Sequence, residues 1–157
     1  MGWDDIQYVA LDSILLAVGP GDKERAEKLA EFVADVAGPA DTTVVLLHVF
    51  TQDEYTSVTE RLGIESPTEI APDEVAQRHE TTRSISKTLD EAGISYEIRG
   101  AVGPHGEEII RLATEDNSGL VVVGGRKRSP TGKAVFGSTA QEVMLSAPCP
   151  VTFVRGE

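Results

Sequence analysis

"SILLAVGPGDKERAEKLAEFVADVAGPADTTVVLLHVF", residues 13–50, holds the pattern that decides the fold. It begins with "SILLAVG" (13–19), a short unbroken apolar run closed by Gly-Pro-Gly, and ends with a second such run, "TTVVLLHVF" (42–50). Apolar runs of this length, bounded by turn residues, predict strands buried on both faces. Between them, "DKERAEKLAEFVADVAG" (22–38) places Ala26, Leu29, Ala30, Val33, Val36 and Ala37 on one helical face. Asp22 is positioned to cap that helix and Gly38 to stop it. A strand, a helix and a second buried strand make a crossover unit, and a crossover aligns its two strands in parallel.

The same alternation continues to the C-terminus. Residues 51–72 have no clear period and read as a long surface loop, with a short helical piece around "DEYTSVTERLG" (53–63). A helix is expected over 73–92, with Val75, Thr82, Ile85 and Leu89 inward and Gly93 at its end. "ISYEIRGAVG" (94–103) alternates like a strand with one wetter face. Pro104 to Asp116 reads as a helix with Ile109, Ile110, Leu112 and Ala113 inward, and "GLVVVGG" (119–125) as a fourth strand. Ser138 opens a helix to Ser146, where Ser138 and Gln141 form a capping-box pattern, and "PVTFVR" (150–155) is the last strand. Five apolar strands alternating with helices predict an α/β fold: a doubly wound three-layer sandwich around a five-stranded parallel sheet. The chain of 157 residues suits a single domain spanning 1–157.

Composition narrows the function classes. The net charge of −12 disfavours an extended nucleic-acid-binding face, because phosphates are repelled. No apolar run reaches the roughly 20 residues of a membrane-spanning helix, and the acidic start "MGWDDIQYVALDS" lacks a basic signal-peptide region, so a cytoplasmic protein is expected. Nine arginines against five lysines on an acidic chain suit a salt-rich, halophilic cytoplasm or an ordinary acidic one. Cys149 is the one cysteine, which excludes an intrachain disulfide. His48, His79 and His105 are scattered, with no zinc-ligand spacing, so no metal site is expected. His48 reads as a packed strand histidine rather than a base. No Ser-His-Asp, Cys-His or paired-carboxylate arrangement is identifiable, so no catalytic residue is assigned.

Positive charge gathers in one place. "GGRKRSPTGKAVFGST" (124–139) holds Arg126, Lys127, Arg128 and Lys133 among four glycines. It is not a phosphate-binding P-loop: Lys127 stands at the required first glycine and Ala134 where the magnesium-binding hydroxyl belongs. "GPGDKE" (19–24) follows a strand as a dinucleotide fingerprint does, but Glu24 replaces the third glycine, and the second strand is followed by no ribose-binding acid before Asp53. Gly137, Ser138 and Thr139 place free amides and a hydroxyl at a helix N-terminus, which favours an anion.

The third reading covers the whole stretch. Gly124, two residues, Lys127, nine residues, Gly137 and Ser138 resemble the G-x₂-G-x₉-G-[ST] loop of ATP-binding universal stress proteins. "ILLAVG", "VVLLHVF", "GPHGEEIIRLATEDNSGLVVVG" and "GSTAQEVMLSAPCPVTFV" resemble the other segments of that family, so the likeness spans nearly the whole chain. It implies the sheet order 3-2-1-4-5 and an ATP, ADP or AMP ligand, with Mg as a possible companion, at the switch point between strands 1 and 4. The implied lining is Ala17, Val18 and Gly19 after strand 1 and Val49 near the end of strand 2. Val123, Gly124, Arg126 and Lys127 follow strand 4, and Gly137, Ser138 and Thr139 open the last helix. The family also implies a homodimer paired through residues 150–155.

Two positions depart from the family pattern. Nucleotide-binding relatives usually carry an Asp just after the first strand, where this chain has Gly19. Their second loop glycine is Lys127 here. The expected function is a nucleotide-responsive binding module of a stress response. Two alternatives stay open: a dimeric interaction protein that has lost the nucleotide, and a slow ATP-hydrolysing or adenylyl-transferring enzyme.

Overall fold

The computed structural model describes residues 11–126 and 137–156. Five strands form one sheet in the order β3-β2-β1-β4-β5, with every neighbouring pair parallel. They are β1 (Ser13–Val18), β2 (Thr43–Phe50), β3 (Tyr96–Val102), β4 (Leu120–Arg126) and β5 (Val151–Gly156). The helices are α1 (Ala26–Ala40), α2 (Gln52–Arg61), α3 (Pro72–Arg78), α4 (Glu80–Glu91), α5 (His105–Glu115) and α6 (Ser138–Ser146).

Strand alternation divides the core into two halves. Ile14, Leu16, Val18, Val44, Leu46 and Val122 face α1 and α4, where they meet Leu29, Val33, Ile85 and Leu89. Leu15, Ala17, Val45, Leu47, Val49, Val121 and Val123 face the other way, against Ile109, Leu112, Ala140 and Val143 of α5 and α6. The unbroken apolar runs are the consequence: each second residue is claimed by one helical layer and the rest by the other. This is the doubly wound sandwich expected from the sequence, in the order 3-2-1-4-5 implied by the resemblance.

Four local expectations are corrected. Asp22 does not cap α1. It lies in a 3-10 turn (Pro20–Arg25) that precedes the helix, and its carboxylate turns back to accept the Gly19 N–H at 2.8 Å. Gly38 does not stop α1, which runs on through Pro39. Asp41 ends it in the left-handed conformation (φ 50°), its N–H bonding the Ala37 and Gly38 carbonyls. A short polar side chain tolerates that backbone, so glycine was not required.

Residues 51–72 are more ordered than a loop. Thr51 caps α2, accepting the Glu54 N–H at 3.2 Å while the Glu54 carboxylate accepts the Thr51 N–H at 2.8 Å. The expected 73–92 helix is two helices, because His79 takes an extended backbone (φ −72°, ψ 138°) between α3 and α4. Its ring Nδ1 accepts the Thr81 N–H at 3.2 Å, so the break is itself the cap of α4. Gly100 seats α3 on β3. A Cβ there would lie 2.1 Å from the Pro72 carbonyl oxygen, and the Gly100 N–H donates to Asp73 Oδ1 at 2.8 Å.

Candidate nucleotide cleft

β1 and β4 are neighbours in the sheet, yet the chain leaves them toward opposite helical layers. A crevice opens beyond their C-terminal ends for that reason. Here it is a cleft of about 320 Å³. Seven of the residues expected from the sequence line it: Ala17, Val18 and Gly19 from the end of β1, Val49 from β2, Val123 and Gly124 from β4, and Thr139 from α6. Gly137 and Ser138 sit beside Thr139 at the start of α6 without lining the cleft. Arg126 ends β4, its backbone in register with Gly156. Lys127 lies outside the described residues.

The helix start differs from expectation. Gly137, not Ser138, is the N-cap of α6, and no side chain caps it. Ser138 is the first helical residue and exposed, so the S-x-x-Q pattern makes no capping box. The earliest backbone bond of the helix runs from the Gln141 N–H to the Gly137 carbonyl at 3.0 Å. Its first turn carries no acidic side chain. Among the described residues, no side chain caps or neutralises the positive end of this helix dipole next to the cleft.

Of the further lining residues, not anticipated from the sequence, three are polar or charged: Asp22, Arg25 and His105. Asp22 is buried, and Arg25 Nε donates to its Oδ1 at 2.5 Å. The pair lies flat against β4. A Cβ on Gly124 would come within 2.8 Å of Arg25 Nε and 3.1 Å of Asp22 Oδ1. Gly124 is in the lining that the resemblance implies, and lacking a Cβ it leaves the backbone open to close approach. On the side where a Cβ would stand, it admits Arg25. The only sequence cue was D-x-x-R (22–25), an (i, i+3) charge pair that most often lies on a helix surface.

His105 begins α5 and its Nε2 donates to Glu54 Oε1 at 2.7 Å. Because the same oxygen accepts the Thr51 N–H, the capping box of α2 holds the imidazole at the cleft wall. Gly19 opposes it, and a Cβ there would meet nothing nearer than the His105 ring at 4.0 Å. The backbone of Gly19 is extended, a conformation open to any residue (φ −147°).

His48 belongs elsewhere. It neighbours Val49 on β2 but points to the opposite face, 1% exposed and stacked on Phe50 at 4.2 Å between ring centroids. Burial, followed by the positive charge of His79, pushes its pKa down to about 3. The Val49 backbone pulls weakly the other way without reaching hydrogen-bond geometry. The packed-histidine reading therefore holds: the ring is neutral at physiological pH and is not in the cleft. Among the described residues no group of three or more His, Cys, Asp or Glu could hold a metal, and no helix is long and apolar enough to cross a membrane.

The chain is similar to known proteins along nearly its full length. A universal stress protein of Mycolicibacterium smegmatis is 36% identical over 72 residues, 45% of this chain and 55% of that one. The solved universal stress protein of Archaeoglobus fulgidus superposes with a TM-score of 0.65 at 26% identity, covering 92% of this chain and 98% of its own. Two solved relatives carry ligands. One, also from Archaeoglobus fulgidus, is in complex with dAMP (20% identity, TM-score 0.62, 94% and 100% covered). The other, from Arabidopsis thaliana, has AMP bound (14% identity, TM-score 0.63, 93% and 92% covered). The universal stress protein family model matches residues 11–155, taking in all five strands up to Arg155, and the chain belongs to that family.

Proposed function

We propose that this protein binds an adenine nucleotide in the β1/β4 cleft and acts as a nucleotide-responsive module of a stress response, without a dedicated catalytic base. One observation carries the reading: residues from the ends of β1, β2 and β4 and the start of α6, far apart in sequence, converge on one cleft at the switch point. Its volume falls at the small end of the about 300–1,000 Å³ of ligand pockets, which suits a nucleoside monophosphate. Ala17, Val49 and Val123, which share one face of the sheet, supply an apolar bed for the base. The uncapped start of α6 supplies positive charge for the phosphate. Solved relatives that hold AMP and dAMP support the same ligand class.

A homodimer in the cytoplasm completes the proposal. β5 is an edge strand, Val151 to Phe153 are half-buried, and Leu145 of the adjoining helix is 86% exposed. Among the described residues β5 pairs with β4 alone, and an edge strand beside an exposed leucine is a surface for a second copy.

The test is calorimetric titration of the purified protein with AMP and ATP, alongside thermal melting. AMP is expected to bind with saturable heat and to raise the melting temperature. No heat and no melting shift at millimolar AMP or ATP would overturn nucleotide binding. A strictly monomeric species in sedimentation would overturn the dimer and leave the cleft unaffected.

A further inference from the structure

A second cavity, of about 780 Å³, lies on the other side of β2. The two cavities share only Pro20 and Glu54's surroundings: Glu54 lines the larger one and bonds His105 in the wall of the smaller. The floor of the larger cavity is aromatic. His48 stacks on Phe50 at 4.2 Å and 16°, and His79 leans on His48 at 4.3 Å and 49°. Val58 and Leu62 of the α2 end add apolar wall.

Two features of this floor call for a ligand. First, both ring nitrogens of His48 are buried without a hydrogen-bond partner. A neutral imidazole carries one donor and one acceptor, and leaving such groups unmade in an apolar surround is costly. Second, the charges around the rim are paired except at one end. Lys23 meets Glu80 at 3.3 Å, Arg78 meets Glu74 at 2.9 Å, and Glu54 meets His105. Arg61 lines the cavity with no ion pair among the described residues, and its charge reaches inward far enough to hold the His79 pKa below its ordinary value, after burial itself. Asp53 also lines the cavity but lies in the first turn of α2, eight residues or about 12 Å from Arg61, where the helix dipole offsets its charge. A small anion can therefore meet Arg61 without meeting Asp53.

We propose that this cavity is a second ligand site, for a small aromatic acid whose ring lies on the His48–Phe50 floor, whose neutral polar group bonds a His48 ring nitrogen, and whose carboxylate pairs with Arg61. Because the His48 nitrogens are sealed from solvent, the half-buried His79 ring turns aside as the ligand enters. Its floor faces away from Val49, so the ligand lies outside the nucleotide cleft, with Pro20 lining both cavities and Glu54 touching both.

The chain's three histidines make the test direct. Protein labelled with ¹⁵N at the histidine rings is titrated with 4-hydroxybenzoate, and separately with AMP. The expected result is a saturable shift of the His48 and His79 ring signals with 4-hydroxybenzoate while His105 stays in place. Neutral phenol and the exposed-site variant Arg61→Gln should each weaken binding tenfold or more, and His48→Phe should abolish it. An unmoved His48 signal, a shift confined to His105, or undiminished binding to Arg61→Gln would overturn the proposal. Should His48→Phe not fold, Arg61→Gln and phenol decide the matter alone. AMP failing to move His105 would count against the nucleotide reading and leave the 4-hydroxybenzoate result standing.

Discussion

Replacing Asp22 with Asn tests how the cleft is held together. The carboxylate accepts from the Gly19 N–H at 2.8 Å and from Arg25 Nε at 2.5 Å. The side chains of Asp22 and Arg25 are 11% and 14% exposed, so solvent screens the pair only slightly. Asparagine keeps the shape and one acceptor oxygen but loses the charge. Hydrogen bonds to charged groups contribute about 1.5–3 kcal/mol each, and removing one partner leaves the other charge poorly compensated. Keeping one weakened bond and losing one strong one gives a cost of about 3 kcal/mol. For a domain of this size that is a fall in melting temperature of about 6–12 °C. The assay is thermal or urea unfolding of Asp22→Asn, Arg25→Met and the double variant. Because the double variant leaves no lone charge against Gly124, it should be less destabilised than the two single losses added together. A fall below 2 °C for Asp22→Asn, or strict additivity in the double variant, would refute the claim that this pair builds the cleft floor.

Further outcomes test other parts of the argument. Gly19→Asp restores the acid that nucleotide-binding relatives carry. The Gly19 backbone is extended and the nearest atoms are 4.0 Å from the new Cβ, so folding should be unharmed, and one charged hydrogen bond to the nucleoside should tighten AMP about tenfold or more by calorimetry. Gly100→Ala drives a methyl to 2.1 Å from the Pro72 carbonyl oxygen and should cost at least the about 1–3 kcal/mol of overpacking in urea unfolding. His48 also makes stability depend on pH. Its pKa falls from 6.5 in the unfolded chain to about 3 in the fold, so the unfolded state binds the extra proton between those values. Stability should therefore be lost as pH falls below 6.5, at about 1 kcal/mol per unit, and flatten near pH 3; His48→Phe should show a shallower loss between pH 6.5 and 5 in urea unfolding.

The sheet was legible in the sequence because a strand buried on both faces must be apolar throughout, and "ILLAV", "VVLLHVF" and "LVVV" show that with no tertiary information. The capping box Thr51-x-x-Glu54 went unread, because the acids around it gave 51–72 the look of a loop. His79 was not legible: a helical period runs across it, and only its packing on His48 and its bond to Thr81 make it a break. Ser138 misled in the opposite direction, since its pattern with Gln141 fits a cap that Gly137 occupies.

For the cleft, the resemblance to universal stress proteins marked Gly19, Gly124 and Thr139, because glycines and hydroxyls at strand ends and helix starts can be matched to the family's loop position by position. Which atoms fill the space between them is a matter of three dimensions. Asp22 and Arg25 are local neighbours, but their contact with Gly124 joins positions about 100 residues apart, and His105 is held by Glu54 from a different helix. The sequence by itself determined the layers, through the period of its apolar residues. Only the tertiary structure decided what lies against Gly124 and what remains unpaired around His48, since those depend on crossings between elements that no local pattern records.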